Sequence, residues 1–440
     1  SGMGIRQLVR LANFSKPDFI LGSPALQWWV RLKILPLQGK VIPVSRHFAK
    51  RGQSATVMHP SNEDDIAAIL FTSGSTGPAK GVVYCVKHFA AQLRKLRASL
   101  RLMQNARDVT LLPAFMLFNP MFGRTTIIPD IDYTKPATLH LPSVIETIAN
   151  SAATSSFGAP VLWEKIADYC LENELKLRSL EQIFLAGVSA TPRVLEKIRQ
   201  AAPNAKIYTP YGATECLPIC LIEATTILEE LRPYQENGAG TCLGYPIEGI
   251  SVKIIAPVDE PLAAIEERHV LPTGFIGEII VSGENVTEAY DQLPEATQLA
   301  KINDNGKLWH RMGDLGFLDE KGRLWFCGRK SERVVSGSEE YFPDCIEPLF
   351  CKYSKVARAA LIRYESKGIV VPALVILPKE GYYPHFFWQR WAFRRHLKQL
   401  AQQFPKTESI EHFFFLKKLP VDPRHNAKIN RQQLSATFSA

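Results

Sequence analysis

A loop rich in glycine and hydroxyl side chains has the composition needed to bind a chain of phosphates. It reads Thr72-Ser73-Gly74-Ser75-Thr76-Gly77-Pro78-Ala79-Lys80-Gly81. Its glycines leave room for a polyanion, successive backbone N–H groups in such a turn form an anion-binding nest, and Lys80 adds a positive charge. The lysine is followed by glycine, so the loop departs from the Walker pattern. A flexible linker is the alternative, but linkers do not usually follow directly on a buried strand.

The elements around this loop predict an α/β fold. The apolar run Ile66–Phe71 predicts a buried strand before the loop, and apolar residues at helical spacing from Val86 to Leu100 predict a helix after it. A second apolar run, Ile183–Ala186, predicts another buried strand, and Thr191-Pro192 then opens a helix with a capping residue and a first-turn proline. Strands that alternate with helices are typical of α/β proteins.

The pattern changes after about Gly238. Short β-branched runs between turn residues predict a β-rich subdomain, followed by a small α+β stretch from residue 331. We therefore predict a large domain over 1–330 and a C-terminal domain over 331–440. The C-terminal domain contains a basic helix, roughly 386–404, whose predicted buried positions are Trp388, Trp391, Leu397 and Leu400.

Composition narrows the class of protein. The 440 residues are 46% hydrophobic and 22% charged, as in globular proteins of more than one domain, and no apolar run is long enough to span a membrane. The net charge of +9 is spread along the chain without an aromatic and basic stripe, so a nucleic-acid binder is the weaker interpretation. The eight cysteines form no complete zinc pattern, and we expect reduced core thiols in a cytoplasmic protein.

The run Trp28–Leu35 predicts either an interfacial helix or, as we prefer, a helix packed on a core edge.

The segment Phe71–Tyr84 resembles the signature loop of the acyl-adenylate-forming superfamily, which includes acyl-CoA synthetases, luciferases and the adenylation domains of peptide synthetases. Further segments resemble the motifs of this family in the expected order: 186–190, 208–215, 310–316, 328–331 and 419–431. The resemblance covers nearly the whole chain. It implies a large domain of mixed sheets and helices with a β-rich subdomain, and a mobile α+β lid.

Roles for individual residues follow from residue chemistry and from this resemblance. In Tyr211-Gly212-Ala213-Thr214-Glu215, the tyrosine ring can stack on adenine, Thr214 can hydrogen-bond the α-phosphate, and the Glu215 carboxylate can hold Mg²⁺. A capped turn at a helix start is the alternative for Glu215. The Gly187-Val188 turn lies on the adenine side by resemblance.

The later motifs supply the remaining roles. The Asp314 carboxylate can accept two hydrogen bonds from a ribose diol, and by resemblance Arg329 also contacts the ribose. Ser331 occupies the hinge position of the family. Lys428 aligns with the catalytic lysine, whose charge neutralises the transition state, although relatives commonly have Gly-Lys where this chain has Ala427-Lys428. The alternative for the Asp314 and Arg329 segments is a polar surface turn. The alternative for the Lys428 segment is a mobile basic tail.

The resemblance is nearest to the β-lactone synthetases of olefin biosynthesis, often labelled long-chain acyl-CoA synthetases. It implies ATP and Mg²⁺, a fatty or β-hydroxy fatty acid that becomes an acyl adenylate, and transfer to CoA or closure of a β-lactone. The apolar segment Pro113–Pro120 corresponds to a wall of the acyl pocket, although a core strand would look the same. Because relatives have far more than seventy residues before the loop, we expect a truncated chain. The alternative to an active enzyme is then a catalytically impaired fragment. Such a fragment would bind nucleotide, or it would bind a second copy of the chain or a complementary N-terminal chain.

Overall fold

The computed structural model describes residues 5–44, 60–72, 79–100, 102–133, 139–421 and 428–439. The chain forms two compact units, Ser1–Asp65 and Ile66–Ala440. The phosphate-loop residues Ser73, Gly74, Ser75, Thr76 and Gly77 lie outside the described residues. Within the described ranges, we find no helix with the length and apolarity that crossing a bilayer requires.

The first unit contains two helices and two short strands: α1 (Ile5–Ser15), β1 (Phe19–Gly22), α2 (Pro24–Arg31) and β2 (Lys40–Pro43). The strands β1 and β2 pair in parallel. The prediction that α2 packs on a core edge is wrong, because none of its residues is buried and 60% of Trp28 is exposed. Trp28 and Trp29 are neighbours in sequence and therefore point about 100° apart on a helix, so a single core-facing stripe does not bury both.

The second unit contains the remaining elements. Up to residue 236 these are β3 (Ile66–Phe71), β4 (Gly81–Cys85), α3 (Val86–Ser99), β5 (Arg107–Thr110), α4 (Phe118–Met121), β6 (Thr125–Ile127), α5 (Leu141–Asn150), β7 (Ser155–Gly158), α6 (Pro160–Glu172), β8 (Gln182–Leu185), α7 (Pro192–Ala201), β9 (Lys206–Ala213), β10 (Cys216–Glu223), α8 (Ala224–Thr226) and α9 (Arg232–Glu236). The rest are β11 (Thr241–Pro246), β12 (Ser251–Ile255), β13 (Gly277–Ser282), α10 (Pro294–Ala300), β14 (Lys301–Asp304), β15 (Lys307–Leu318), β16 (Leu324–Arg329), β17 (Val334–Ser336), β18 (Glu339–Tyr341), α11 (Pro343–Cys351), β19 (Val356–Ser366), β20 (Ile369–Pro378), α12 (Phe387–Ala401), β21 (His412–Phe415) and α13 (Arg431–Phe438).

A twelve-stranded mixed sheet organises most of this unit. Its strand order is β12-β13-β15-β16-β11-β10-β9-β8-β7-β5-β6, with β14 beside β15. The strands β5 to β9 run parallel and pack against α5, α6 and α7, whose apolar faces form the largest core. The strands β10 to β16 pair antiparallel. The predicted α/β fold with a β-rich part is confirmed, and Thr191 caps α7 as expected by accepting a hydrogen bond from Val194 N.

The strand before the phosphate loop differs from its prediction in one respect. Residues Ile66–Phe71 form β3 as expected, but β3 pairs with β4 in a separate antiparallel hairpin. The predicted burial is wrong, because each β3 side chain is exposed or half-buried, whereas Val82 and Tyr84 of β4 are buried. The apolar run therefore reflects a hairpin strand and not a strand of the central sheet.

Residues from Val334 onward have cores of their own. The sheet β19-β20-β21 packs on one face against α11 and α12 and on the other against α13. Alternation along β19 explains this division, because Ala359 and Leu361 face the first core while Ala360 and Ile362 face the second. The predicted α+β character is confirmed, and the boundary at residue 331 stays a prediction.

The basic helix α12 is present but presents a different face to the core. Leu397 is buried and Leu400 is partly buried, as predicted. The predicted burial of Trp388 and Trp391 is wrong, because 65% and 57% of these residues are exposed. At about 100° per residue, position 388 lies opposite position 397 and position 391 lies about 120° away from it.

The predicted burial of the cysteines is confirmed for all but Cys351, and the cytoplasmic location stays a prediction. All eight cysteines are free thiols, and seven of them are buried. Burial raises the pKa of Cys170 and Cys242 to about 11, so these thiols stay protonated at neutral pH.

Candidate active site

The Asp314 carboxylate lies at the centre of a buried polar cluster. Adjacent antiparallel strands place Asp314 on β15 directly opposite Arg329 on β16. The Arg329 Nη1 atom lies 2.9 Å from Asp314 Oδ1, and the Tyr211 hydroxyl on β9 donates a 2.6 Å hydrogen bond to Oδ2. Sequence analysis predicted these three residues from separate motifs, and the fold brings them together.

The charges in this cluster explain its pKa shifts. Burial raises the pKa of the Asp314 carboxyl, while Arg329, the Tyr211 hydrogen bond and Lys428 act in the opposite direction. Burial and the Asp314 charge raise the pKa of the Tyr211 hydroxyl well above its usual value, which keeps it a hydrogen-bond donor. The buried Asp314 Oδ1 atom has the Arg329 guanidinium beside it at 2.9 Å, but no described residue is aligned to donate a hydrogen bond to it. A buried acceptor of this kind suits a sugar hydroxyl.

A second carboxylate, Glu215, lies at a hairpin tip. Thr214 and Glu215 form the two-residue turn between β9 and β10, because Ala213 pairs with Cys216. The backbone N–H and the hydroxyl of Thr287 both donate to the Glu215 carbonyl, at 2.9 and 3.1 Å. The turn is therefore held by the segment that follows β13, and the alternative of a helix start at Glu215 is wrong.

The Glu215 side chain is oriented by Tyr290. The Tyr290 hydroxyl donates a 2.6 Å hydrogen bond to Glu215 Oε1. Burial and the Glu215 charge raise the pKa of this hydroxyl, so it remains protonated. A carboxylate with one oxygen fixed by a neutral donor keeps further lone pairs for a hard cation such as Mg²⁺.

The base of the phosphate loop joins this second cluster. Thr72 N donates to the Lys80 carbonyl at 2.9 Å, and Lys80 N donates to the Thr72 hydroxyl at 3.0 Å, so the two ends of the loop are closed on each other. Asp291 N donates to the Gly81 carbonyl at 2.7 Å, which ties β4 to the Tyr290 segment. The Lys80 ammonium lies 4.9 Å from the centre of the Tyr290 ring. Lys80 and Glu215 thus contact the same tyrosine.

Lys428 lies on the Asp314 side of the site. An isolated antiparallel bridge between Val421 and Ile429 closes the segment that ends in this lysine. Burial raises the pKa values of the Asp314 and Glu332 carboxyls, and the Lys428 charge opposes this rise at both. Residues 422–427 of the same motif lie outside the described residues.

The predicted hinge lies between two anchored neighbours. On one side, Lys330 Nζ lies 3.3 Å from Glu278 Oε2 and 3.0 Å from Asp259 Oδ1. On the other, Glu332 Oε2 lies 2.8 Å from Nη1 of Arg431, at the start of α13. Ser331 therefore separates a residue tied to the β-rich subdomain from one tied to the C-terminal helix.

Three predicted backbone positions adopt conformations consistent with close approach to a ligand. Gly187 follows β8 with a φ of 97°, in the left-handed region. Val188 follows it in the same turn. A Cβ on Gly212 would lie 2.9 Å from the Cys216 carbonyl, so the turn into Thr214 requires glycine.

An aromatic row runs across the parallel strands beside these clusters. Phe157 on β7, Phe184 on β8 and Tyr208 on β9 are register partners whose rings stack, with centroids 6.1 and 5.5 Å apart. Phe115 stacks on Phe157 at 3.6 Å. The alternative that Pro113–Pro120 is a core strand is wrong, because Pro113–Leu117 is a 3-10 helix that leads into α4.

Sequence analysis missed four residues of the Glu215 cluster. The Tyr84 hydroxyl donates to the Thr214 carbonyl, and Lys301 Nζ donates to the Thr287 carbonyl. Burial lowers the pKa of Lys301 to about 8, while the Glu215 charge opposes this shift. Tyr290 and Thr287 follow β13 by a few residues, but they lie more than seventy positions from Glu215, and no spacing in the sequence relates them to it.

The fold and the order of these groups define the class of protein. The chain belongs to the AMP-binding enzyme family, whose model matches residues 24–291. It is 35% identical to the olefin beta-lactone synthetase of Stenotrophomonas maltophilia (strain K279a), over 458 residues that cover 100% of this chain and 81% of the relative. It is also 35% identical to the olefin beta-lactone synthetase of Xanthomonas campestris pv. campestris, over 99% of this chain and 80% of that relative.

A solved structure has the same fold. The O-succinylbenzoate Coenzyme A Synthetase of Bacillus subtilis, in complex with ATP and a magnesium ion, matches with a TM-score of 0.74 at 22% identity, over 98% of this chain and 82% of that one. The chain is thus a ligase of the acyl-CoA synthetase type, and the predicted resemblance and fold class are confirmed. The family relationship supports formation of an acyl adenylate.

Proposed function

We propose that this chain activates the carboxylate of a fatty or β-hydroxy fatty acid with Mg·ATP, and that the neighbouring hydroxyl then closes a β-lactone. The observation that carries this proposal is the convergence of two carboxylate clusters. The β9–β10 hairpin joins the two clusters, because Tyr211 on β9 donates its hydrogen bond to Asp314, beside Arg329, and Glu215 at the hairpin tip is held by Tyr290.

In the first half-reaction, a carboxylate oxygen of the acid attacks the α-phosphorus of ATP. The new P–O bond forms as the bond to pyrophosphate breaks, which gives acyl-AMP. Catalysis of this kind depends on positioning and charge neutralisation and needs no nucleophile from the protein.

Individual residues supply the positioning. Asp314 and Arg329 hold the ribose, the Tyr211 ring stacks on adenine, and the backbone at Gly187 and Val188 lies along the base. Thr214, the loop amides and Lys80 contact the phosphates. Lys428 offsets the negative charge that develops between the carboxylate and the α-phosphate, as charged donors do at developing oxyanions.

The donor set fits a magnesium ion. Glu215 would hold Mg²⁺ together with phosphate oxygens of ATP, since Mg²⁺ prefers carboxylate and phosphate oxygen. In the described part of the chain, no cluster of three or more His, Cys, Asp or Glu side chains could hold a metal without the nucleotide. The ion would neutralise phosphate charge and orient the leaving pyrophosphate.

In the second half-reaction, the β-hydroxyl oxygen attacks the acyl carbon. The bond from that carbon to the AMP oxygen breaks, a four-membered lactone forms, and the hydroxyl proton leaves to solvent or to AMP. The 35% identity with two olefin beta-lactone synthetases over almost the whole chain favours this outcome. Rotation of the C-terminal lid about Ser331 would separate the two half-reactions, as in other hinge motions.

Transfer of the acyl group to CoA is the second candidate outcome. It is favoured by the fold shared with a Coenzyme A synthetase. The test incubates the protein with ATP, Mg²⁺ and a long-chain β-hydroxy acid, with and without CoA, and identifies the products by mass spectrometry. Lactone and AMP without CoA support the proposal. Product formed only with CoA, as the thioester, would support transfer, and absence of AMP with folded protein would contradict both.

A binding role without turnover is the other candidate. Residues of the first unit expose large apolar side chains, notably Leu21 at 68% and Trp28 at 60%, which a second copy or a complementary chain could cover. Calorimetry that shows ATP binding without AMP release would identify this role, whereas activity restored by a complementary chain would favour the enzyme instead.

A further inference from the structure

Large aromatic side chains are exposed on the first turns of α12 and on the segment that precedes it. We call Tyr382, Phe386, Phe387, Trp388 and Trp391 the aromatic patch. Their exposed fractions run from 50% for Tyr382 to 83% for Phe387. Large exposed apolar side chains grouped in this way, beside polar residues, are typical of binding sites.

The exposure of the aromatic patch is not a consequence of a poorly packed helix. The opposite side of α12 is fully used, since Phe393 and Leu397 are buried against the β19-β20-β21 sheet and Ala401 continues the same stripe. With 100° per residue, positions 387, 388 and 391 fall on the side away from Phe393. The helix is therefore docked, and its aromatic end is left facing outward.

Positive charge surrounds the aromatic patch. Arg390, Arg394, Arg395 and Lys398 lie on α12, which contains no Asp or Glu, and of these Lys398 is paired with Glu411 Oε1 at 2.8 Å. The Arg395 guanidinium lies 5.6 Å from the Trp391 ring, so charge and ring occupy the same surface. The ring of Phe386 stacks on Trp388 with centroids 6.2 Å apart, which presents two rings side by side.

This combination matches the chemistry of one surface in particular. Trp and Tyr rings are favoured at the boundary between lipid head groups and acyl chains, and Arg and Lys beside them attract anionic phosphates. An acidic protein groove would satisfy the charges but offers no comparable apolar layer for several outward rings. Because no described helix is long and apolar enough to cross a bilayer, the contact would be peripheral.

We propose that the aromatic patch and the cations of α12 bind the surface of a bilayer that contains anionic phospholipid. The rings enter the interfacial layer, and the guanidinium and ammonium groups contact lipid phosphates. This inference does not depend on adenylate formation, since binding needs neither ATP nor an acid. If the proposed substrate is correct, the contact would also place the C-terminal lid at the phase in which fatty acids concentrate.

Vesicle binding tests the proposal directly. The full chain is mixed, without ATP, with phosphatidylcholine vesicles or with vesicles that also contain phosphatidylglycerol, and the bound fraction is measured by flotation. We expect binding to the anionic vesicles that weakens as salt rises, with quenching of tryptophan fluorescence by brominated lipid. Equal binding to both vesicle types, or no binding to either, would overturn the proposal.

Matched variants separate the aromatic patch from general surface properties. The triple variant Phe387→Ser, Trp388→Ser, Trp391→Ser should lower the vesicle partition coefficient by about tenfold or more, and Arg395→Gln should lower it less. The control Tyr234→Ser, Phe275→Ser changes two rings that are about as exposed, at 60% and 61%, outside the aromatic patch, and should bind like the wild type.

Two further measurements test whether the triple variant is folded and whether its oligomeric state has changed. Adenylation of a water-soluble acid should be equal in the triple variant and the wild type, which shows that the variant is folded. Light scattering without lipid measures the mass of both proteins. A triple variant that binds vesicles as well as the wild type would overturn the proposal. If that variant also loses a dimer that the wild type forms, the aromatic patch is instead a contact with a second copy of the chain.

Discussion

The candidate active site and the start of α12 both place aromatic side chains beside charged ones, but the two places differ in how the rings are held. At the candidate active site, Tyr211 and Tyr290 are fixed by hydrogen bonds to Asp314 and Glu215. On α12, Trp388 and Trp391 are mostly exposed, and the charges near them belong to arginine and lysine. The first arrangement fixes carboxylates for chemistry, and the second leaves rings available to another surface.

The difference predicts that substitutions at the two places affect different measurements. Changes at the carboxylate clusters should alter catalysis with any acid, whereas changes in the aromatic patch should alter vesicle binding alone. Four variants sharpen this contrast, beginning with the largest expected effect.

Replacement of Glu215 should produce the largest loss among these four. In Glu215→Gln the charge that would hold Mg²⁺ is removed while the shape is retained, so kcat for adenylation should fall by about 100-fold or more. The measurement is acid-dependent release of pyrophosphate across a range of Mg²⁺ concentrations. The control Glu229→Gln changes an exposed glutamate and should match the wild type. A Glu215→Gln variant with normal kcat and normal Mg²⁺ dependence would remove Glu215 from the proposed site.

Replacement of Asp314 should mainly weaken nucleotide binding. Hydrogen bonds to a charged group contribute about 1.5–3 kcal/mol, so Asp314→Asn should raise the KM for ATP by roughly 10- to 100-fold. Comparison with 2′-deoxy-ATP gives the sharper test, because the variant should discriminate less between the two nucleotides than the wild type does. Unchanged discrimination would show that Asp314 does not contact the ribose. Asp304→Asn, at an outer position of β14, is the matched control.

Tyr290 should have a smaller effect because it acts through Glu215. In Tyr290→Phe the ring beside Lys80 is kept and only the hydroxyl is lost, which removes about 0.5–1.5 kcal/mol and should lower kcat roughly 2- to 10-fold. A merely structural role would leave the Mg²⁺ dependence of the rate unchanged, whereas a positioning role should raise the Mg²⁺ concentration needed for half-maximal rate. Equal Mg²⁺ curves for Tyr290→Phe and wild type would exclude the positioning role.

Asp344 offers a small, pH-dependent effect on stability. Burial and the nearby Glu347 charge raise the pKa of this carboxyl on α11 to about 7, and Thr241 on β11 donates a 3.4 Å hydrogen bond to it. The folded state therefore binds a proton between about pH 4 and pH 7 that the unfolded state has released, so this group makes stability fall as pH rises through that window.

The variant Asp344→Asn mimics the protonated carboxyl at every pH. It should melt about 2 °C or more above the wild type at pH 8, with a smaller difference at pH 5, as measured by scanning calorimetry. A difference in Tm that is independent of pH, or larger at pH 5, would contradict the raised pKa.

Much of the candidate site could be predicted from the sequence because its motifs are local. The spacing from Tyr211 to Glu215 lies within one hairpin, and Asp314 and Arg329 lie on adjacent antiparallel strands joined by a short turn. Residues that suit phosphate, ribose and magnesium therefore occur in short segments of the sequence, where they could be recognised without the fold. The hydrogen bond between Tyr290 and Glu215 joins residues 75 positions apart, and only the fold brings them together.

Burial was the property that sequence predicted less well. Trp388 and Trp391 are three residues apart, as are Leu397 and Leu400, so each pair fits a helical stripe when taken alone. The two stripes lie on different faces of α12, and only the leucine face meets the sheet. Apolar character likewise predicted burial for β3, which is a half-exposed hairpin strand. Periodicity thus predicts the elements, while the face that packs depends on the partner.

The central claim is that this chain forms an acyl adenylate at the site where the Asp314 and Glu215 clusters meet and Lys428 approaches. Acid-dependent exchange of labelled pyrophosphate into ATP tests it most directly, with wild type beside Lys428→Ala and the exposed-lysine control Lys418→Ala. We predict exchange by wild type and by Lys418→Ala with a long-chain β-hydroxy acid, and a rate about 100- to 1,000-fold lower for Lys428→Ala. No exchange by folded wild type with any such acid, or equal rates in all three proteins, would contradict the account.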